Sequence, residues 1–170
     1  MTEGMNREGL LTLYKYNAFA TKKLLDTVEK LGEDQLSQEI SPSHGTIRRL
    51  LQHMMATETF FLAVCQGHAL DFDPSRYNTL EEVRAYWDGL EHRMRRYIGT
   101  VEQDELESMR EFRMRDKPYM LPAWKLLVQA FVHATHHRGE LSILLTQVGQ
   151  PLPNTDIIQF FIQPDNKAEK

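Results

Sequence analysis

The chain has 170 residues, 41% of them hydrophobic and 26% charged, with a net charge of −4 at pH 7 and a pI near 6.0. These values describe a folded chain of single-domain size and weigh against nucleic acid as the main partner. A single cysteine, Cys65, excludes an internal disulfide, the N-terminus lacks a signal-peptide layout, and the apolar run 60–65 is too short to cross a bilayer, so a cytoplasmic protein with no membrane partner is expected.

Residues 6–31 carry an apolar stripe at helical spacing (Leu13, Tyr16, Ala20, Leu24, Val28, Leu31), and Gly32 stands where a C-cap would. Residues 33–46, with Ser41-Pro42-Ser43 and Gly45, read as a connector. A second helix is expected over 46–66, with stripe Ile47, Leu50, Met54, Thr57, Phe61 and Val64; Gly67 follows it, and 67–78 form a loop. Thr79-Leu80-Glu81-Glu82 is a capping box that starts a third helix, whose stripe is Leu80, Val83, Trp87, Leu90, Met94, Tyr97 and Val101. At 109–121 Met109, Glu111, Arg113 and Arg115 alternate with Arg110, Phe112 and Met114, and Asp116-Lys117-Pro118 looks like a turn, which predicts an irregular or β-like excursion. Pro122 can open a fourth long helix reaching about Val148, where Gly149 and Pro151 stop it. A short helix near 155–162 should act as a cap, and the tail at 164–170 is expected to be disordered. The expected fold is all-α, a four-helix bundle in a single domain spanning 1–170 with its core at about 6–162.

The chemistry lies in the histidines. The stripe of the fourth helix runs Leu126, Ala130, His133, His137, Leu141, Leu144, Val148, so two imidazoles one turn apart interrupt a core-facing face. His53 lies beside the stripe of the second helix, against Leu50 and Thr57. Neutral imidazole is the commonest ligand for zinc or nickel, and side chains four residues apart can converge on one ion. Three histidines with one open coordination position form the pattern of a catalytic metal, because structural zinc is usually closed by four protein ligands. Spacing alone is weak evidence, since seven histidines in 170 residues readily give such a pair by chance. Placement on the buried stripe tips the balance toward metal over core histidines satisfied by carbonyls.

Other groups carry less. His136 is turned about 100° from His137 and reads as a surface or supporting residue. His44, His68 and His92 fall in loops or among charges and read as solvated, although His44, before Gly45 and a helix start, has the option of lining a cleft. A Glu58–Arg138 ion pair would brace the two ligand helices. Glu140 reads as a solvated carboxylate with an outside claim to act as a base, and Cys65 as an inert packed thiol. The sequence contains no Glu-x-x-His, His-Glu-x-x-His, phosphate-cradling glycine loop or Gly-x-Ser-x-Gly elbow.

Several segments together resemble the DinB/YfiT-like family: Tyr16-Asn17-Ala18-Phe19-Ala20, Gly45-Thr46-Ile47-Arg48 leading to Leu51-Gln52-His53, His133-Ala134-Thr135-His136-His137-Arg138-Gly139-Glu140, and Asp156-Ile157-Ile158-Gln159-Phe160-Phe161. The likeness spans about residues 10–162. It implies a helical bundle that holds one divalent ion on His53, His133 and His137, commonly as a homodimer. Some members of that family transfer low-molecular-weight thiols or isomerise substrates with a thiol cofactor. Two positions depart from the family pattern, Glu140 where Gln is usual and Ala134 where Gly is frequent. The expected protein is therefore a metal-dependent enzyme, thiol-transferase-like or hydrolase-like on a small molecule, with zinc or nickel first and iron or manganese also admitted. The alternatives are a stress-related metal- or ligand-binding protein without turnover, and a scaffold with vestigial histidines.

Overall fold

The structure, a computed structural model, describes residues 4–163. Among them are seven α-helices, α1 (Arg7–Val28), α2 (Glu33–Ser37), α3 (Ile47–Gln66), α4 (Leu80–Thr100), α5 (Gln103–Glu107), α6 (Ala123–Gln147) and α7 (Ile157–Phe161), and two strands, β1 (Met109–Met114) and β2 (Lys117–Pro122). The four long helices surround one core: α1 packs on α4 and α6, and α3 packs on the same two from the opposite side. Leu10, Leu24, Ile47, Leu50, Met54, Leu90, Met94, Ile98 and Leu126 are sealed within it. Burial of each such side chain stabilises the fold by about 1.5–3 kcal/mol. None of the helices among the described residues is long and apolar enough to cross a membrane.

The helix ends follow local chemistry. Thr79 accepts from the Glu82 amide while the Glu82 carboxylate receives the Thr79 amide, the expected reciprocal cap of α4. At the end of α3, Gly67 adopts φ +73°, a left-handed conformation that costs a glycine little. The first helix stops earlier than its pattern predicts, at Val28. Gly32 is not its C-cap; it precedes α2, with Gln35 reaching back to the Gly32 amide. Neither α2 nor α5 was legible, because a five-residue helix offers no full period of apolar residues.

The excursion at 109–122 is a two-stranded antiparallel hairpin in which Phe112 pairs with Tyr119 and Arg110 with Leu121. Its two turn residues are Arg115 (φ 48°) and Asp116 (φ 63°), one residue earlier than the expected Asp116-Lys117-Pro118 turn. Two successive left-handed residues give the tight turn that matches strand twist. The buried line of α1 also differs from the expected stripe: Leu10, Tyr14, Asn17, Leu24 and Val28 are buried, whereas Leu13 and Tyr16 lie half-buried at its edge. Tyr16 packs instead edge-on to Phe160 of α7, 6.2 Å between ring centroids. The expected disorder at 164–170 lies outside the described residues.

Candidate metal centre

Helices α3 and α6 lie side by side, and their facing surfaces carry the three histidines. His53 Nε2 is 3.1 Å from His133 Nε2, and His137 Nε2 is 3.2 Å from the same atom. Three tetrahedral nitrogens held about 2.0–2.1 Å from a zinc ion would stand about 3.3 Å apart, so the imidazole edges already have the spacing of a shared ligand set. The triad is one of two groups among the described residues with metal-binding geometry; the other is His44, His137 and Glu140. His137 is buried, and His53 and His133 are half-buried.

The protonation states fit a cation between the rings. Burial, then repulsion from neighbouring imidazoles, pushes His53 and His133 down to about 4, and burial also lowers His137. All three are therefore neutral at pH 7, the form that ligates metal. His137 Nδ1 faces Glu140 Oε2 at 3.4 Å. A carboxylate can only accept, so Nδ1 carries the proton and the Nε2 lone pair points at His133. His133 Nδ1 is buried with no partner among the described residues, which leaves Nε2 as its working nitrogen. One Nε2–H cannot bridge two neighbouring nitrogens at hydrogen-bond distance with good geometry in both directions, whereas a cation on three lone pairs satisfies all of them.

A second layer holds His137 in place. Ser41 Oγ donates to Glu140 Oε1 at 2.7 Å, and Ser43 Oγ donates to the same carboxylate at 2.7 Å. Burial raises the Glu140 carboxyl, but the hydrogen bonds from Ser41, Ser43 and His137 outweigh it and hold the group below its usual range. Glu140 is thus not the solvated carboxylate the sequence implied; it is the anionic partner of His137. The serines reach it because residues 41–45 close on themselves, with the Ser41 N–H donating to the Gly45 carbonyl and the Gly45 N–H to the Ser41 carbonyl, each at 2.9 Å, and Gly45 at φ +80°. That turn also places His44, half-buried rather than solvated, with its ring stacked on His53 at 4.0 Å and edge-on to His137 at 5.2 Å. His44 and Glu140 each had a sequence signal: a Ser-Pro-Ser-His-Gly turn directly before a ligand helix, and a carboxylate three residues after His137 on the same face. His136 is exposed, with its ring edge-on to His137 at 5.0 Å on the outer side of the cluster, and His68 and His92 are exposed away from it.

Behind the centre, Glu58 and Arg138 are both buried, at 2% and 3% exposure, but Asn17 stands between them in place of a direct ion pair. Arg138 Nη1 donates to Asn17 Oδ1 at 2.6 Å, and Asn17 Nδ2 donates to Glu58 Oε1 at 3.2 Å. This relay joins α6, α1 and α3, because an amide can accept from the guanidinium and donate to the carboxyl, whose burial pushes the Glu58 acid up from its usual range. Arg138 also donates to Thr135 Oγ1 at 2.7 Å, fixing the helix that carries His133 and His137. Cys65 takes no part: it is fully buried, burial pushes its thiol up to about 12, and Sγ donates to the Ala123 carbonyl at 3.5 Å.

In front of the centre opens a cavity of about 810 Å³, within the range of small-molecule sites. His53 and His133 form part of its wall; Phe60 and Phe61 of α3 and Phe112, Met114, Tyr119 and Leu121 of the hairpin supply its apolar surface. The hairpin does this because Phe112 and Tyr119 are paired and alternate strand residues face one side.

Helices closing on a three-histidine centre beside an apolar pocket define a helical protein with a candidate metal centre. The chain belongs to the DinB family, whose family model matches residues 5–166. It is 24% identical over 165 residues to Protein DinB of Bacillus subtilis (strain 168), covering 92% of this chain and 96% of that protein. It is 23% identical over 160 residues to the uncharacterized protein YrdA of the same strain, covering 84% and 83% respectively. Among solved structures, a DinB-like protein from Bacillus cereus ATCC 10987 shares the fold with a TM-score of 0.67 at 23% identity, covering 91% of this chain and 99% of that one.

Proposed function

We propose that this chain is a metal-dependent enzyme built on a single four-helix-bundle domain, with one divalent ion, zinc or nickel first, held by His53, His133 and His137. The observation that carries this reading is the convergence of the His53 and His137 Nε2 atoms on His133 Nε2, at 3.1 and 3.2 Å, beside an apolar cavity. An ion bound there supplies Lewis acidity, lowering the pKa of a thiol or water donor at its open position. Glu140 fixes the His137 tautomer, the Asn17 relay holds α3 and α6 in register, and the aromatic wall excludes water from a bound substrate.

No carboxylate among the described residues lines the cavity, and Glu140 is committed to His137 and two serines. A bound ion would lower the pKa of a thiol and of water alike, but a thiol starts far lower and its thiolate is the softer, stronger nucleophile, so transfer of a small thiol to an electrophile is the preferred chemistry over hydrolysis. The same lack of a carboxylate in the lining supports, as the second reading, a binding protein without turnover. Steady-state assays of metal-loaded and EDTA-stripped protein, with small thiols against a panel of electrophiles, separate the two. Metal-dependent consumption of thiol supports the enzyme; tight ligand binding without turnover across the panel supports the binding protein.

Exposed Val132 and Ile143 on α6, and exposed Ile158, Phe161 and Ile162 at the C-terminal end, offer apolar surface for the homodimer that the family resemblance implies. Sedimentation at micromolar concentration tests that assembly, and a monomer there removes it. A reducing, cytoplasmic setting accords with the single buried cysteine.

A further inference from the structure

The cavity beside the histidines is not uniformly apolar. Lys125, Gln129 and His133 all line it, and they follow one another at four-residue steps along α6. Side chains at that spacing share one face, and at a rise of about 1.5 Å per residue the Lys125 and His133 backbones are about 12 Å apart along the axis. One wall therefore bears the candidate ligand His133, Gln129 midway and Lys125 at the far end. The opposite wall is Phe60, Phe61, Phe112 and Tyr119. Lys125 is exposed, its ammonium lies 5.4 Å from the Trp124 ring centroid, and no described carboxylate pairs with it. With a divalent ion on three neutral imidazoles, both ends of this polar line are positive, and the described lining holds no negative charge to balance them.

Resting on the metal-dependent reading above, we propose that Lys125, assisted by Gln129, forms an anion subsite, so that the site selects an apolar-bodied acid with a soft donor at the histidine end and a carboxylate about one ligand length away. The aromatic wall takes the body of the molecule, Gln129 donates to a polar group along it, and the flexible lysine stem lets the ammonium meet the acid at the mouth. Selection then depends on length, because a short acid cannot reach Lys125 while its donor stays at the metal.

The test uses full-length protein loaded with cobalt(II), titrated with mercaptopropionate, mercaptooctanoate and the methyl ester of each, and read by the thiolate-to-cobalt absorption band. Within each length the ester is the reference, so added hydrophobic area cancels. The acid is expected to bind about threefold to tenfold tighter than its ester for the octanoate and equally for the propionate, the range set by a charge-assisted contact at a solvent-exposed lysine. Lys125→Ala should remove that preference and Lys125→Glu reverse it, both with cobalt content unchanged. Equal binding of acid and ester at both lengths, or a preference that survives Lys125→Ala, overturns the subsite alone. Absence of the band with every thiol overturns the metal-dependent reading and this subsite with it.

Discussion

Glu140 offers the sharpest test of how the centre is organised. Replacing it by Ala removes the acceptor that faces His137 Nδ1 and leaves the Ser41 and Ser43 hydroxyls without their shared partner, while all three imidazoles remain. Loss of a carboxylate that orients a metal-bound histidine typically costs 10–100-fold in metal affinity. At about 1.4 kcal/mol per decade, this is about 1.4–2.8 kcal/mol of ion binding. For an ion that binds only the folded state, the same energy would be lost from metal-linked stability at saturating, fixed free metal. For a chain of this size 1 kcal/mol moves Tm by about 2–4 °C, so the metal-induced rise in Tm should shrink by about 3–11 °C. Glu140→Gln should lose less, because its amide oxygen can still accept from Nδ1–H. Thermal melts with and without EDTA, paired with chelator-competition titrations, read both quantities. A Glu140→Ala protein with wild-type affinity and an unchanged metal-induced rise would refute the role assigned to this carboxylate.

Further outcomes follow from other parts of the structure. In the metal-free protein His53 and His133 are pushed down to about 4, below the unfolded value near 6.5, so the unfolded chain takes up protons first as pH falls. Their contribution to stability is complete above pH ~6.5, is lost on the way down to about 4 and is level below that. Urea midpoints at pH 7.5 and 5 should differ more in the wild type than in His53→Gln/His133→Gln; the same difference in both proteins argues against the assignment. Arg138→Ala strips the Asn17 relay of its cation and should cost about 1.5–3 kcal/mol in denaturant unfolding, and a loss under about 1 kcal/mol would show that the relay is not a brace. In the hairpin, Arg115→Asn with Asp116→Gly places the residues best suited to two left-handed positions, and should stabilise the protein by about 0.5–1 kcal/mol; destabilisation would contradict the turn geometry.

Much of this architecture was legible because helical periodicity and caps are local signals. The stripe on α6 placed His133 and His137 on a core-facing side, and the Thr79–Glu82 box marked the start of α4. What escaped was decided by tertiary contact. Asn17 and Glu58 are polar, so no apolar stripe includes them, yet both are buried because Asn17 donates to Glu58 and accepts from Arg138. His44 and Glu140 read as solvated for the same reason: their neighbours come from a turn and a helix about a hundred residues apart in sequence. The alternation at 109–121 signalled a strand without showing that its Phe112–Tyr119 side would wall a cavity on α3 and α6.

The central claim is that three imidazoles from two helices hold one ion. Elemental analysis by ICP-MS of protein purified without a histidine tag, as wild type and as His133→Ala, measures it directly. The account predicts close to one divalent metal per chain in the wild type and nearly none in the variant, with the helical circular dichroism of the two proteins matching. Equal metal content in both would contradict it.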